Sequence, residues 1–176
     1  MKRSRLVFLP LAGIILVCIA LLFGLRQDPK QIASALIGKP VPEFYQSDLL
    51  NSSRTLSNND LPKTPFLINV WGSWCEYCKR EHPFLMQLAA QNVSIVGLNY
   101  RDKVQNALEM LNKTGNPFSL VINDGKGELA LKLGVDGAPE TYLVDQHGVI
   151  QYRYVGELNE TVWQQEFLPK IKELTP

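Results

Sequence analysis

The chain has 176 residues, 45% hydrophobic and 20% charged, which excludes a disordered chain and suits one domain with its own core. The formal net charge of +1 hides an asymmetry: Lys2, Arg3, Arg5, Arg26 and Lys30 against Asp28 put +4 in the first thirty residues and leave −3 for the rest. A mildly acidic domain lacks the basic footprint of a nucleic-acid binder.

Leu6 to Leu25 is a run of twenty residues without a charge. At about 1.5 Å per residue, a helix of that length spans the ~30 Å hydrocarbon core of a bilayer. Lys2, Arg3 and Arg5 precede it, so the positive-inside rule puts residues 1–5 in the cytoplasm and the rest across the membrane. The run is longer than the apolar core of a cleaved signal, and the nearest small-residue triplet, Ala33-Ser34-Ala35, lies well past it. We therefore expect an uncleaved transmembrane anchor over 6–25, a linker over 26–37 and a soluble domain over 38–176. Cys18 falls mid-span and reads as a small apolar residue of the anchor rather than a lipid-attachment site.

Gly38-Lys39-Pro40-Val41-Pro42 reads as an extended lead-in, because proline excludes helix and biases the residue before it. Residues 47–65 are polar and turn-rich. Then the elements alternate: a buried strand over 66–71, a helix over 75–91, a strand over 93–99 and a helix over 103–113 closed by Gly115. A strand over 118–123 and a short helix over 128–133, closed by Gly134, follow. Strands over 141–144 and 149–154 form a hairpin around Asp145-Gln146-His147-Gly148, and a helix over 158–174, interrupted near Pro169, ends the chain. This order predicts an α/β fold with a mixed central sheet and helices on both faces.

The run Trp71-Gly72-Ser73-Trp74-Cys75-Glu76-Tyr77-Cys78 joins the first buried strand to its helix. Cys75 is expected in the first helical turn, where unpaired N–H groups and the helix dipole favour thiolate, the nucleophilic form. Cys78 lies one turn on, on the same face, and is expected to be the less exposed of the two. The pair can make and break one disulfide. A zinc knuckle wants four ligands, and no second cysteine pair or His pair supplies them. A c-type haem site needs His after the second cysteine, where Lys79 stands. Neither metal nor cofactor is expected, and the C-x-x-C spacing argues against a peroxidase. Glu76 beside Cys75 opposes the thiolate and is expected to favour a reducing couple.

Glu81 follows Cys78 by three residues. Position alone leaves two readings open: a solvated helix-surface carboxylate, or a buried one with a raised pKa that passes protons to and from Cys78. Pro83 is expected to kink the helix. His82 reads as a packing or surface residue, and His147 as surface.

These residues resemble the thioredoxin-like superfamily, and within it the membrane-anchored CcmG/DsbE thiol–disulfide oxidoreductases of bacterial cytochrome c maturation. The matching stretches include Gly38 to Phe44, Asn69 to Cys75, Glu81-His82, Val96 to Asp102, Gly115 to Pro117 and Leu133 to Thr141. The Gly137-Ala138-Pro139-Glu140-Thr141 run is the most family-specific. The resemblance implies a thioredoxin-like fold and a cis Ala138–Pro139 bond facing the cysteines. It makes Cys75, Cys78 and Glu81 the catalytic set, with Trp74, Ala138, Pro139 and Glu140 against the substrate. Glu81 and Glu140 match the family's acidic residues near the active site, and an acidic, narrow groove around them would mark a dedicated reductase. Glu76-Tyr77 departs from the family's commoner dipeptides.

The resemblance further implies a reductant in the bacterial inner membrane with its domain in the periplasm. It would serve apocytochrome c or a dithiol partner of the maturation system, and be recharged by an electron donor of the DsbD/CcdA type. The competing readings are a general periplasmic reductase or isomerase, and a thioredoxin-fold copper chaperone using His147 as a third ligand.

Overall fold

The computed structural model describes residues 13–18 and 36–174. The chain divides into two units, Met1–Ile32 and Ala33–Pro176. In the first, 13–18 is helical with exposed side chains. Most of the expected anchor over 6–25, and residues 26–35 of the expected linker over 26–37, lie outside the described residues. Among the described residues, no helix is long and apolar enough to cross a membrane.

The second unit is built on five strands: β3 (Phe66–Trp71), β4 (Ile95–Tyr100), β5 (Leu120–Asp124), β6 (Glu140–Val144) and β7 (Ile150–Val155). Their order in the sheet is β5-β4-β3-β6-β7. β3 pairs parallel with β4 and β4 with β5, whereas β3–β6 and β6–β7 are antiparallel. The sheet is mixed, as expected, and β3 at its centre is buried along its whole length.

Strand alternation sends successive side chains to opposite faces. Phe66, Ile68 and Val70 join one apolar cluster with Leu129, Ala130 and Leu133 of helix α3 (Glu128–Leu133). Leu67 and Trp71 join the other. That second layer is built on helices α1 (Glu76–Ala90) and α2 (Val104–Thr114), with Leu85, Leu88, Ala107 and Leu111 inside it. Gly97 of β4 lies under this layer. A Cβ there would sit 2.8 Å from Phe118 and 2.9 Å from Trp71, so only glycine admits the stacked Trp71–Phe118 pair.

Two segments differ from expectation. The turn-rich stretch 47–65 holds a second strand, β2 (Thr55–Ser57), paired antiparallel with β1 (Tyr45–Ser47). Three-residue strands carry too little alternation to be read from sequence. The last helix, α4, comprises Glu160–Val162, a π-helical turn Trp163–Phe167 and Leu168–Leu174. It starts at the Asn159 cap, whose side chain accepts from Val162 N–H at 3.0 Å. The expected interruption near Pro169 takes the form of that π turn, closed by Leu168 N–H on the Trp163 carbonyl. Pro169 cannot continue the regular ladder, and the wider turn absorbs the mismatch. α1, by contrast, continues as one helix through Pro83.

Candidate active site

β3 ends at Trp71, and four residues later the chain reaches Cys75. Cys75 is the N-cap of α1, one position ahead of the first turn. It is disulfide-bonded to Cys78. The Cys75 Sγ accepts the Cys78 backbone N–H at 3.1 Å, so the sulfur itself takes up one of the orphan donors of the helix start. Both cysteines are nearly enclosed, Cys75 at 4% and Cys78 at 2% exposure. The Ala138–Pro139 bond is cis, and the Ala138 carbonyl oxygen lies 3.4 Å from the Cys75 Sγ. Two segments 63 residues apart therefore meet at one sulfur.

Glu81 is 1% exposed, which excludes the solvated reading. It accepts from Asn69 Nδ2 at 2.9 Å and from Leu158 N–H at 2.8 Å. Burial pushes its pKa from the ordinary 4.5 up to about 7, against these two hydrogen bonds; nearby Glu157 adds to the rise. Asn69 is the polar member of the β3 face that carries Leu67 and Trp71, and its amide also donates to Thr141 Oγ1 at 3.2 Å. A carboxylic acid that titrates near neutrality one turn after Cys78 can hold or release a proton at physiological pH. His82 is a packing residue: its Nε2 is 3.0 Å from the Gly115 carbonyl and 3.0 Å from Thr114 Oγ1, and burial lowers its pKa.

Glu140 is fully buried and turned inward. Arg153 forks onto it, with Nε 3.0 Å from Oε2 and Nη2 3.0 Å from Oε1. The backbone N–H groups of Asp136 and Gly137 donate to Oε1 at 2.8 and 3.2 Å, and the Tyr142 hydroxyl donates to Oε2 at 2.9 Å. Arg153 also pairs with Asp136 at 2.9 Å. Enclosed in this way, the Glu140 carboxylate orders the loop that leads to Ala138–Pro139 and presents nothing at the surface. With Glu81 enclosed as well, neither carboxylate lines an acidic groove of the kind that would mark a dedicated reductase. Both charges are spent on internal donors.

Two aromatic side chains are exposed beside the disulfide. Trp74 is 52% exposed and Tyr77 is exposed with the Arg80 guanidinium over its ring at 4.1 Å. Glu76 is 76% exposed and paired with Lys79 at 3.4 Å, which weakens its expected opposition to a Cys75 thiolate. His147 is exposed in the β6–β7 turn. Because Val70 pairs with Glu140 and Phe66 with Val144, that turn lies at the end of the sheet away from the cysteines. Among the described residues, no cluster of three His, Cys, Asp or Glu could hold a metal ion.

Sequence reasoning missed Asn69 and Arg153 as parts of this site. Asn69 was visible as one amide in an otherwise apolar strand, and Arg153 as one cation in a hairpin strand.

The Redoxin family profile matches residues 36–167. The chain is 64% identical over 173 residues to the probable thiol:disulfide interchange protein DsbE-2 of Pasteurella multocida (strain Pm70), covering 98% of this chain and 92% of that protein. It is 44% identical over 175 residues to the thiol:disulfide interchange protein DsbE of Escherichia coli (strain K12), covering 96% and 94%. Among solved structures, MTB dsbF in its mixed oxidized and reduced forms superposes with a TM-score of 0.63 at 27% identity, covering 75% of this chain and 95% of that chain.

Proposed function

We propose that this chain, which belongs to the Redoxin family of thioredoxin-like thiol–disulfide oxidoreductases, is a reductant of cytochrome c assembly. The observation that carries the reading is the full-length identity to proteins named DsbE, joined to a buried Glu81 poised near neutrality one turn after Cys78.

The exchange is written on this geometry. In the reduced protein, the Cys75 thiolate rests against Cys78 N–H and attacks a sulfur of the substrate disulfide. A Cys75–substrate bond forms, the substrate S–S bond breaks, and the departing sulfur takes a proton from solvent. Glu81, as carboxylate, accepts the Cys78 proton, and the Cys78 thiolate attacks the Cys75 sulfur. The second substrate sulfur leaves as a thiolate and takes the proton that Glu81 holds. Two electrons and two protons have moved to the substrate, and the protein holds the Cys75–Cys78 disulfide. Trp74 and the Ala138–Pro139 loop take the substrate backbone. Glu140 acts from inside that loop, through Asp136 and Gly137.

The substrate is a C-x-x-C-H disulfide of apocytochrome c, or the oxidised form of a dithiol partner of its maturation system. A membrane electron donor of the DsbD/CcdA type restores the dithiol. Residues 6–25 anchor the chain in the bacterial inner membrane, with the domain in the periplasm.

The test is the Cys75–Cys78 reduction potential together with the rate of reduction of an oxidised C-x-x-C-H peptide and of insulin. A potential at or below about −200 mV and a preference for the peptide are expected. A potential near about −120 mV, the range of strong oxidants, sinks the reading. Equal rates on both substrates turn it into a general reductase.

A further inference from the structure

The Asn99-Tyr100-Arg101-Asp102 stretch, at the end of β4, has no part in the exchange described above. The structure places it directly against the residues that precede Cys75. The Asp102 carboxylate collects four donors. Ser73 N–H and Asn99 Nδ2 reach Oδ2 at 2.6 and 3.1 Å, while Ser73 Oγ and Lys103 N–H reach Oδ1 at 2.8 and 2.7 Å. One residue on, Trp74 Nε1–H donates to the Tyr100 carbonyl at 3.2 Å. Arg101, between the two acceptors, has a φ of +47°, a conformation unfavourable for a residue with a side chain, and its N–H is held by the Asp124 carbonyl at 3.1 Å. That turn aims the Tyr100 carbonyl and the Asp102 carboxylate at two successive residues of the cysteine loop.

We propose that Asp102 is a positioning residue for the exchange reaction: by clamping Ser73 it fixes Trp74 at the surface and Cys75 at the helix start. The reason is reach. Cys75 N–H bonds back to Gly72 O at 3.0 Å, so the loop from Gly72 to Cys75 is one tight turn, and Ser73 inside it is tied by both backbone and side chain to a single carboxylate. If Ser73 is released, the sulfur no longer has a defined place between Cys78 N–H and the Ala138 carbonyl. Charge-assisted bonds to backbone N–H groups are among the stronger ones available for such a clamp. Misplacement of a reacting atom by about 1 Å can cost up to about a hundredfold in rate.

The inference rests on Cys75 being the attacking thiol, which is checked separately: Cys78→Ser should hold glutathione on Cys75 after exposure to glutathione disulfide. Absence of that adduct strikes the role of Cys75 and leaves the Asp102 comparison intact. For Asp102, the variant is Asp102→Asn in the full chain. Two readouts are the second-order rate of the reduced protein with glutathione disulfide, and acrylamide quenching of tryptophan fluorescence. The chain has three tryptophans. Trp71 and Trp163 are buried, so accessible quenching reports on Trp74.

Glutathione disulfide is anionic, so removing a carboxylate charge would by charge alone speed the reaction. Loss of position slows it. The expected result is a rate about tenfold lower together with stronger Trp74 quenching, at unchanged far-ultraviolet circular dichroism. Ser73→Ala, which removes only the hydroxyl donor, should move both readouts in the same direction by less, and it carries the test if Asp102→Asn does not fold. A rate that is unchanged or raised in a folded variant overturns the proposal, whatever the quenching does.

Discussion

Asn69 on β3 donates a 2.9 Å hydrogen bond to the Glu81 carboxylate on α1, and both side chains are shut off from solvent. The charge on Glu81 is therefore tolerated through a single amide and one backbone N–H. Its pKa stands at about 7 instead of 4.5. A raised carboxyl pKa means that the folded protein binds a proton which the unfolded chain has already lost. Stability thus falls as pH rises from about 4.5 to 7 and levels off above. Glu81→Gln should remove that dependence. The variant should be more stable than the wild type at pH 8, by at most about 3 kcal/mol, with the gap closing towards pH 5. Urea unfolding across that range checks it. A gap that is largest at pH 5 contradicts the burial argument.

Asn69→Ala should shift the pH dependence of exchange in the opposite sense to a simple loss of function. Removing the amide takes away a hydrogen bond that favours the charged form, so the Glu81 pKa rises further. The limb of the rate profile that reports Glu81 should move to higher pH. Stopped-flow rates from pH 5 to 9 would show it, and an unmoved limb would mean that Glu81 does not titrate in the rate-determining step.

Arg153 supports two acidic groups from one buried guanidinium. Arg153→Ala leaves Glu140 enclosed with its charge uncompensated, and breaking a buried pair from one side costs about 3–5 kcal/mol. The Asp136-Gly137 backbone loses its fixed acceptor at the same time. A denaturant midpoint far below that of wild type is expected. Arg153→Lys should recover only part of it, since the forked contact to both Glu140 oxygens needs a guanidinium.

Glu76 should matter little to the redox couple. It is exposed and already paired with Lys79, and surface pairs contribute about 0–1 kcal/mol. Glu76→Gln should then shift the Cys75–Cys78 potential by no more than about 20 mV, since about 30 mV corresponds to 1.4 kcal/mol. Equilibration with dithiothreitol would measure it. A larger shift would restore Glu76 as a determinant of the potential.

Much of this protein is legible in the chain itself. The apolar run at 66–71, the helix periods after it, the stops at Gly115 and Gly134 and the Cys75–Cys78 spacing are local properties. They depend on neighbours within a turn or two, and a linear reading captures them. The paired strands β1 and β2 escaped because three residues give no period to detect. What only the tertiary structure decided is the fate of the charged side chains. Whether Glu81 faces water or the core depends on Asn69 and on Leu158, which is 77 residues away. Whether Glu140 meets a substrate or an arginine depends on how β7 lies against β6, and whether Asp102 is a turn residue or a clamp depends on the approach of Ser73. A charge costs several kcal/mol to bury unpaired, so its role is set by partners that folding alone brings within 3 Å.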